Sequence, residues 1–120
     1  MARKSAHNTN EYLRIIRKKK GLAKQHTFLR DKKLSMGIQM LKKGDDYKEP
    51  VHKDGRYKEP AHKHGEVYFV LKGHANLRIG KKEYKASPGM AFYVPPKAPH
   101  EFYDIKKEFV FLFIFAGLDD

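Results

Sequence analysis

An all-β domain, a sandwich or barrel with one helical appendage, is what this 120-residue sequence predicts. Three observations carry that expectation. From about residue 26 onward, apolar and polar residues alternate with period 2. Strand-sized runs then recur about every 8–12 residues, the spacing of small β architectures. Between them lie Gly- and Pro-centred turns, which end one strand and aim the next.

Taken in order, residues 1–8 read as a tail. Asn8, Thr9 and Asn10 are all acceptable helix N-caps, and Glu11 places an acid in the first turn. Tyr12, Leu13, Ile15 and Ile16 then precede Arg17-Lys18-Lys19-Lys20, and Gly21 stops the run. This predicts a short helix with its cations at the C-terminal end, where the macrodipole favours them. Its apolar stripe is so short that it must dock on something to persist. Leu34, Met36, Ile38 and Met40 read as the buried face of a strand, followed by a turn at Lys42–Asp46. Val67–Leu71 is a strand closed by Gly73. Ala75–Ile79 and Glu83–Lys85 flank Gly80-Lys81-Lys82 as a hairpin. Met90–Val94 is a strand, Pro95–Pro99 a stiff connection, and His100–Asp104 and Glu108–Phe115 are the last two strands. The expected division is a basic arm over residues 1–25 and a β-barrel domain over 26–120.

The last strand is apolar on both faces. Phe109, Phe111, Phe113 and Phe115 share one, Val110, Leu112 and Ile114 the other. Both should be covered. If Val110, Leu112 and Ile114 line a barrel, the phenylalanines must meet a second sheet, the arm or another subunit. A homodimer is therefore an expected assembly.

Charge is placed unevenly. Residues 1–43 carry 13 Lys/Arg against Glu11 and Asp31, whereas the remainder is almost balanced, so nearly all of the net +12 lies in the first third. Such an arm can attract phosphate polymers. It lacks aromatic residues interleaved for base stacking, and 25 residues are too few for a helix-turn-helix, so a solvated basic helix is preferred over a nucleic-acid tether. With no cysteine, disulfides, thiolate metal sites and cysteine nucleophiles are excluded. The basic N-terminus lacks the apolar run of a signal peptide, and no stretch is long enough to span a membrane, so the expected location is the cytoplasm.

Chemistry concentrates at His62-Lys63-His64-Gly65-Glu66, which runs directly into the Val67 strand. Two imidazoles and a carboxylate are all ligands for divalent ions. Residues 62, 64 and 66 share a parity, so on a continuous strand all three would face one way. The cluster ends a ten-residue duplication, Tyr47–Arg56 followed by Tyr57–Glu66, in which seven positions match and His52 is the earlier copy of His62. Only the second copy leads into a strand.

Together with His100, this stretch resembles the cupin superfamily. The first cupin motif runs H-x-H, three or four residues, Glu, six residues, Gly; here Glu66 and Gly73 have that separation. The second runs Gly, five residues, P-x-G-x-x-H, three residues, Asn. Gly89, Pro95-Pro96-Lys97-Ala98-Pro99-His100 and Asp104 fit it, with Lys97 in place of the glycine and Asp104 in place of the asparagine. The first motif departs: His62 stands correctly upstream of Glu66, but Pro60 occupies the position of the other histidine. The resemblance covers roughly residues 33–116 and implies a jelly-roll barrel. It implies His62, Glu66 and His100 as metal ligands with His64 as a fourth candidate, and a divalent transition metal (iron, manganese, nickel, copper or zinc) as cofactor. Tyr68 and Phe102 share parity with Glu66 and His100 and are candidate cavity residues, with Tyr93 and Met40 behind them. The expected function is a metalloenzyme of oxygenase or isomerase type acting on a small organic molecule. The alternatives are a non-catalytic sugar- or metabolite-binding module and a barrel tethered by its arm to nucleic acid.

Overall fold

The computed structural model describes residues 5–21, 23–44 and 64–116, together with the backbone of 48–49. The duplication falls almost wholly outside the described residues, and with it His52 and His62.

Among the described residues, one helix, α1 (Thr9–Arg17), precedes seven strands: β1 (Ala23–Arg30), β2 (Leu34–Lys42), β3 (Lys48–Glu49), β4 (Glu66–Ile79), β5 (Lys82–Ala86), β6 (Ala91–Val94) and β7 (His100–Ala116). All pairings are antiparallel. The expected all-β architecture is present, with a jelly-roll arrangement of two facing layers. The first layer runs β1, β2, the C-terminal half of β7, the N-terminal half of β4, and β6. The second runs β3, the N-terminal half of β7, the C-terminal half of β4, and β5.

Two strands therefore serve both layers, which corrects the sequence reading. Gly73 does not close a strand, and residues 100–116 are one strand rather than two. Their long pairing breaks register between Val70 and Asn76, where β4 turns the corner. Gly73 sits there at φ +86, and a Cβ on it would lie 2.0 Å from the Glu108 carbonyl oxygen. Opposite, Asp104 and Lys107 also take positive φ, a conformation of the kind that accompanies bulges. Such devices let a strand bend while its neighbours stay paired.

Phe109, Phe111 and Phe113 lie in the core between the layers with Tyr68, Val70, Leu77, Phe92, Val94 and Phe102. The interior face of the last strand is thus the phenylalanine face, with the second layer as its cover. The reading of β2 is corrected likewise. Ser35, Gly37, Gln39 and Leu41 pair with Phe115, Phe113, Phe111 and Phe109 and turn inward with them. Gly37 is bare because the Phe113 ring occupies the space of a side chain; a Cβ would meet it at 2.3 Å. Leu34, Met36, Ile38 and Met40 point outward. Of these, Ile38 and Met40 are buried only because α1 lies over them.

Asn8 caps α1, its Oδ1 accepting from the N–H groups of Asn10 and Glu11. The helix buries Tyr12 and Ile16 against Ile38, Met40 and Val110. Tyr12 stacks on Phe28 at 4.6 Å between ring centroids and tilts against His26 at 4.9 Å. Burial there, followed by the charge of Lys19, holds the His26 imidazole below its ordinary pKa. The C-terminal end is fastened by Arg17, which donates to Glu108 Oε1 at 2.7 Å, with Lys72 Nζ 3.5 Å from the same oxygen. The Arg17 hydrogen bond in particular holds the Glu108 carboxyl below the usual carboxylate range.

Gly73→Ala should cost roughly 2–4 kcal/mol in denaturant unfolding, because both the left-handed φ and the Glu108 carbonyl resist a Cβ. For Glu108, the folded pKa lies below the unfolded one. Its contribution is present above the unfolded value of about 4.3 and fades as pH falls through the lower folded value. Glu108→Gln should lower the melting temperature by about 1–3 °C at neutral pH, as suits a half-exposed pair, and the gap from wild type should close as pH falls through the lowered folded value.

Candidate functional site

The site is built where the two layers face each other. Glu66 is the first residue of β4 and pairs with Phe115 and Val94 in the first layer. His100 is the first residue of β7 and pairs with Ile79 and Glu49 in the second. Both are 2% exposed. Their side chains meet across the interior, His100 Nε2 lying 3.7 Å from Glu66 Oε1. Strand order alone places these residues at opposite ends of the β4–β7 pairing. The bend at Gly73 brings them together.

Each side chain is oriented by a neighbour. The Tyr68 hydroxyl, two residues along β4 and on the same face, donates to Glu66 Oε1 at 3.0 Å. The backbone carbonyl of Ala98 lies 3.0 Å from His100 Nδ1. A carbonyl only accepts, so Nδ1 carries the hydrogen, and Nε2 is the atom turned toward Glu66. In the neutral imidazole this sets a lone pair opposite a carboxylate oxygen at a distance too long for a hydrogen bond. A carboxylate oxygen and an imidazole nitrogen turned toward each other are both of the atom types that ligate a divalent ion.

The Ala98 contact depends on the stiff connection before β7. Ala98 N–H bonds to the Pro95 carbonyl, and Lys97 takes φ +69. Lys97 is the residue standing where the motif has glycine, so the turn keeps its shape and accepts the strain of a side chain there. Asp104, in place of the motif's asparagine, likewise occupies a left-handed position at φ +52, which Asp and Asn tolerate better than most residues.

The remaining candidates separate clearly. Tyr68 and Phe102 are buried beside the pair, with 5.1 Å between their ring centroids, and Tyr68 is 5.9 Å from the His100 ring. His64 is exposed, lying before the strand begins, so the parity shared with Glu66 does not reach it. Tyr93 points outward and is 60% exposed, and Met40 lies under α1, so neither faces the interior. His62 is outside the described residues. Among the described residues, no three His, Asp or Glu side chains are gathered as a metal set. The donors present, one carboxylate and one Nε2 imidazole, are of the types that ligate a divalent transition metal.

Sequence reasoning missed two interior residues. Ser35 and Gln39 are buried on the inward face of β2, and Ser35 Oγ has no hydrogen-bond partner among the described residues. Ser35 lies in one cross-strand row with Phe115, Glu66 and Val94. The signal was the polar half of the β2 alternation, which reads as solvent-facing when the covering helix is not considered.

Tyr68→Phe should destabilise the fold by about 1 kcal/mol in denaturant unfolding, since it leaves a buried carboxylate oxygen short of one donor. A neutral or stabilising result would show that the hydroxyl does not orient Glu66.

Comparison with known proteins agrees with this fold. Residues 40–115 match the Cupin domain family. An uncharacterized protein of Streptomyces coelicolor is 30% identical over 90 residues, covering 74% of this chain and 75% of its own length. Two solved structures share the fold at low identity. KdgF from Halomonas sp. superposes with a TM-score of 0.66 at 15% identity, covering 82% of each chain. An RmlC-like cupin from Shewanella frigidimarina gives 0.65 at 18% identity, over 82% of this chain and 78% of its own. With a family match across most of its length and the strand architecture to support it, the chain belongs to the cupin family.

Proposed function

We propose that this protein is a small metal-binding cupin that acts on an organic molecule held between its two layers. The observation that carries the reading is the facing pair of Glu66 and His100, buried and oriented from behind by Tyr68 and Ala98. His62, four residues before Glu66 in the sequence, would complete a two-His-one-carboxylate set, with His64 the weaker candidate because of its exposure. A bound iron, manganese, nickel, copper or zinc ion would supply Lewis acidity and open positions for a substrate oxygen, chemistry that suits an oxygenase or an isomerase.

The chain's own residues supply the setting. Tyr68 and Ala98 fix the carboxylate and imidazole, so neither must reorganise when charge develops beside it. Tyr68, Phe102, Phe111 and Phe113 form an aromatic core beside the pair that keeps bulk water from it. Glu66 can also take or return a proton at Oε1, where the Tyr68 hydroxyl already bonds.

A second reading, a non-catalytic cupin that binds a sugar or metabolite, is favoured by the same aromatic interior. The arm as a nucleic-acid tether ranks behind both, because Arg17 is engaged with Glu108 and the apolar side of α1 is docked. A cytoplasmic location and a homodimer complete the proposal; no helix among the described residues is long and apolar enough to cross a membrane.

Elemental analysis of protein purified without a polyhistidine tag separates these readings. Wild type should carry a transition metal near one per chain, Glu66→Ala and His100→Ala should each lose most of it, and His64→Ala should keep it. Full metal occupancy in His100→Ala would sink the assignment. A wild type that stays metal-free after reconstitution would leave the binding-module reading.

A further inference from the structure

The outer face of the second layer carries a polar pocket that takes no part in the Glu66–His100 site. It lies beside the bend, where β7 sets two residues, Asp104 and Ile105, opposite the single Ala75 of β4. Ala75 and Ile105 turn into the core, and this bulge leaves His74, Asn76, Asp104 and Lys106 on the outside. Lys85 joins them from β5, where it pairs with Asn76. Together they border an open pocket of about 340 Å³, a volume within the range of small-molecule sites.

The charges of this face are unequally committed. Arg78 reaches both Glu83 and Glu101, and the Tyr103 hydroxyl donates to Glu83, so these two carboxylates are taken. Lys106 Nζ holds Asp104 Oδ1 at 2.9 Å. Among the described residues, the side chains of His74, Asn76 and Lys85 make no hydrogen bond or ion pair. An imidazole, an amide and an ammonium group, contributed by two strands, thus border one pocket uncommitted, beside a lysine–aspartate pair from a third.

We infer that this pocket binds a small phosphate monoester that also carries hydroxyl groups, a sugar phosphate in its chemistry. Lys85, Lys106 and His74 offer N–H donors and positive charge, and the Asn76 amide adds a further donor. The three terminal oxygens of a phosphate monoester can use such a set more fully than the two of a carboxylate. Asp104 repels the anion itself but accepts from a hydroxyl placed beside it. That residue stands where the cupin motif has asparagine, and its charge selects a hydroxylated anion over a bare one. A divalent metal does not suit the pocket: among the described residues His74 and Asp104 alone border it as ligands, and two ammonium groups oppose a cation. A ligand held by β4, β5 and β7 together also braces the bend and so favours the native state.

Pocket and metal pair lie on opposite faces of the layer, and either can fail alone. Titration calorimetry on the full-length chain, with ribose 5-phosphate, inorganic phosphate and ribose as probes, is the test. Ribose 5-phosphate should bind with a Kd on the order of 0.1–1 mM, as suits a few solvent-exposed charge-assisted bonds, and inorganic phosphate about ten-fold more weakly. Ribose alone should not bind. At saturation the sugar phosphate should raise the melting temperature by several degrees. Lys85→Glu and His74→Ala, both at exposed positions, should each weaken it at least about five-fold, whereas Lys33→Glu, exposed but outside the pocket, should leave it unchanged. Asp104→Asn, which tolerates left-handed backbone equally well, should keep phosphate binding and erase the preference for the sugar phosphate. Pretreatment with a chelator should alter none of this, which separates the pocket from the metal site. Absence of ribose 5-phosphate binding would overturn the inference. So would binding that survives both Lys85→Glu and His74→Ala, or that falls as far with Lys33→Glu.

Discussion

Everything in this fold depends on the pairing of β4 with β7 surviving a change of direction. The two strands are hydrogen-bonded from Glu66 and Phe115 at one end to Ile79 and His100 at the other. Drawn straight, the 13 steps from Glu66 to Ile79 would extend about 43 Å, more than the 40 Å longest dimension of the molecule. The pair must therefore fold over. It does so where Gly73 meets the Glu108 carbonyl and where Asp104 and Lys107 adopt left-handed backbone. One bend creates two layers, the aromatic core between them, and the meeting of Glu66 with His100. Fold and site share a single cause.

That cause explains which parts of the architecture could be read from the residues. Alternation is a local property, so the existence and spacing of the strands were legible, as was the helix, with Asn8 among its possible caps; it ends at Arg17, before the lysine run and not at Gly21. Direction is not local. Gly73 was visible as an interruption, yet an interruption that ends a strand and one that bends it look alike in a sequence. The same ambiguity affected residues 104–108, where two expected strands are one. Facing was harder still. In β2 the larger apolar residues suggested the inside, but α1 lies over the outer face and draws Ile38 and Met40 into burial. The true inside carries Ser35, Gly37 and Gln39, because large phenylalanines opposite leave little room.

For the site, motif spacing was more informative than composition. The dense run of histidines before β4 drew attention, but the described half of it, His64, is exposed, and Glu66 is the residue brought to His100. The six-residue separation of Glu66 from Gly73 has a physical meaning here, as the length of strand between the interior carboxylate and the bend. The interval from Gly89 through Pro95 to His100 similarly measures the turn that delivers Ala98 to His100 Nδ1. What spacing could not supply was Tyr68's bond to Glu66, which requires the rotamers and not only the parity.

Lys97 has a consequence for how such a domain can change over time. At φ +69 a lysine bears strain that a glycine would not, yet the turn it forms is still made, closed by the Ala98 N–H to Pro95 bond. Restoring glycine there would relieve the strain but enlarge the unfolded ensemble, so the two effects oppose each other. Prolines at 95, 96 and 99 already limit that ensemble, which leaves the strain as the larger quantity. The loop thus holds a small reserve of stability, recoverable by one substitution, with which the chain could offset a costly change elsewhere in the interior.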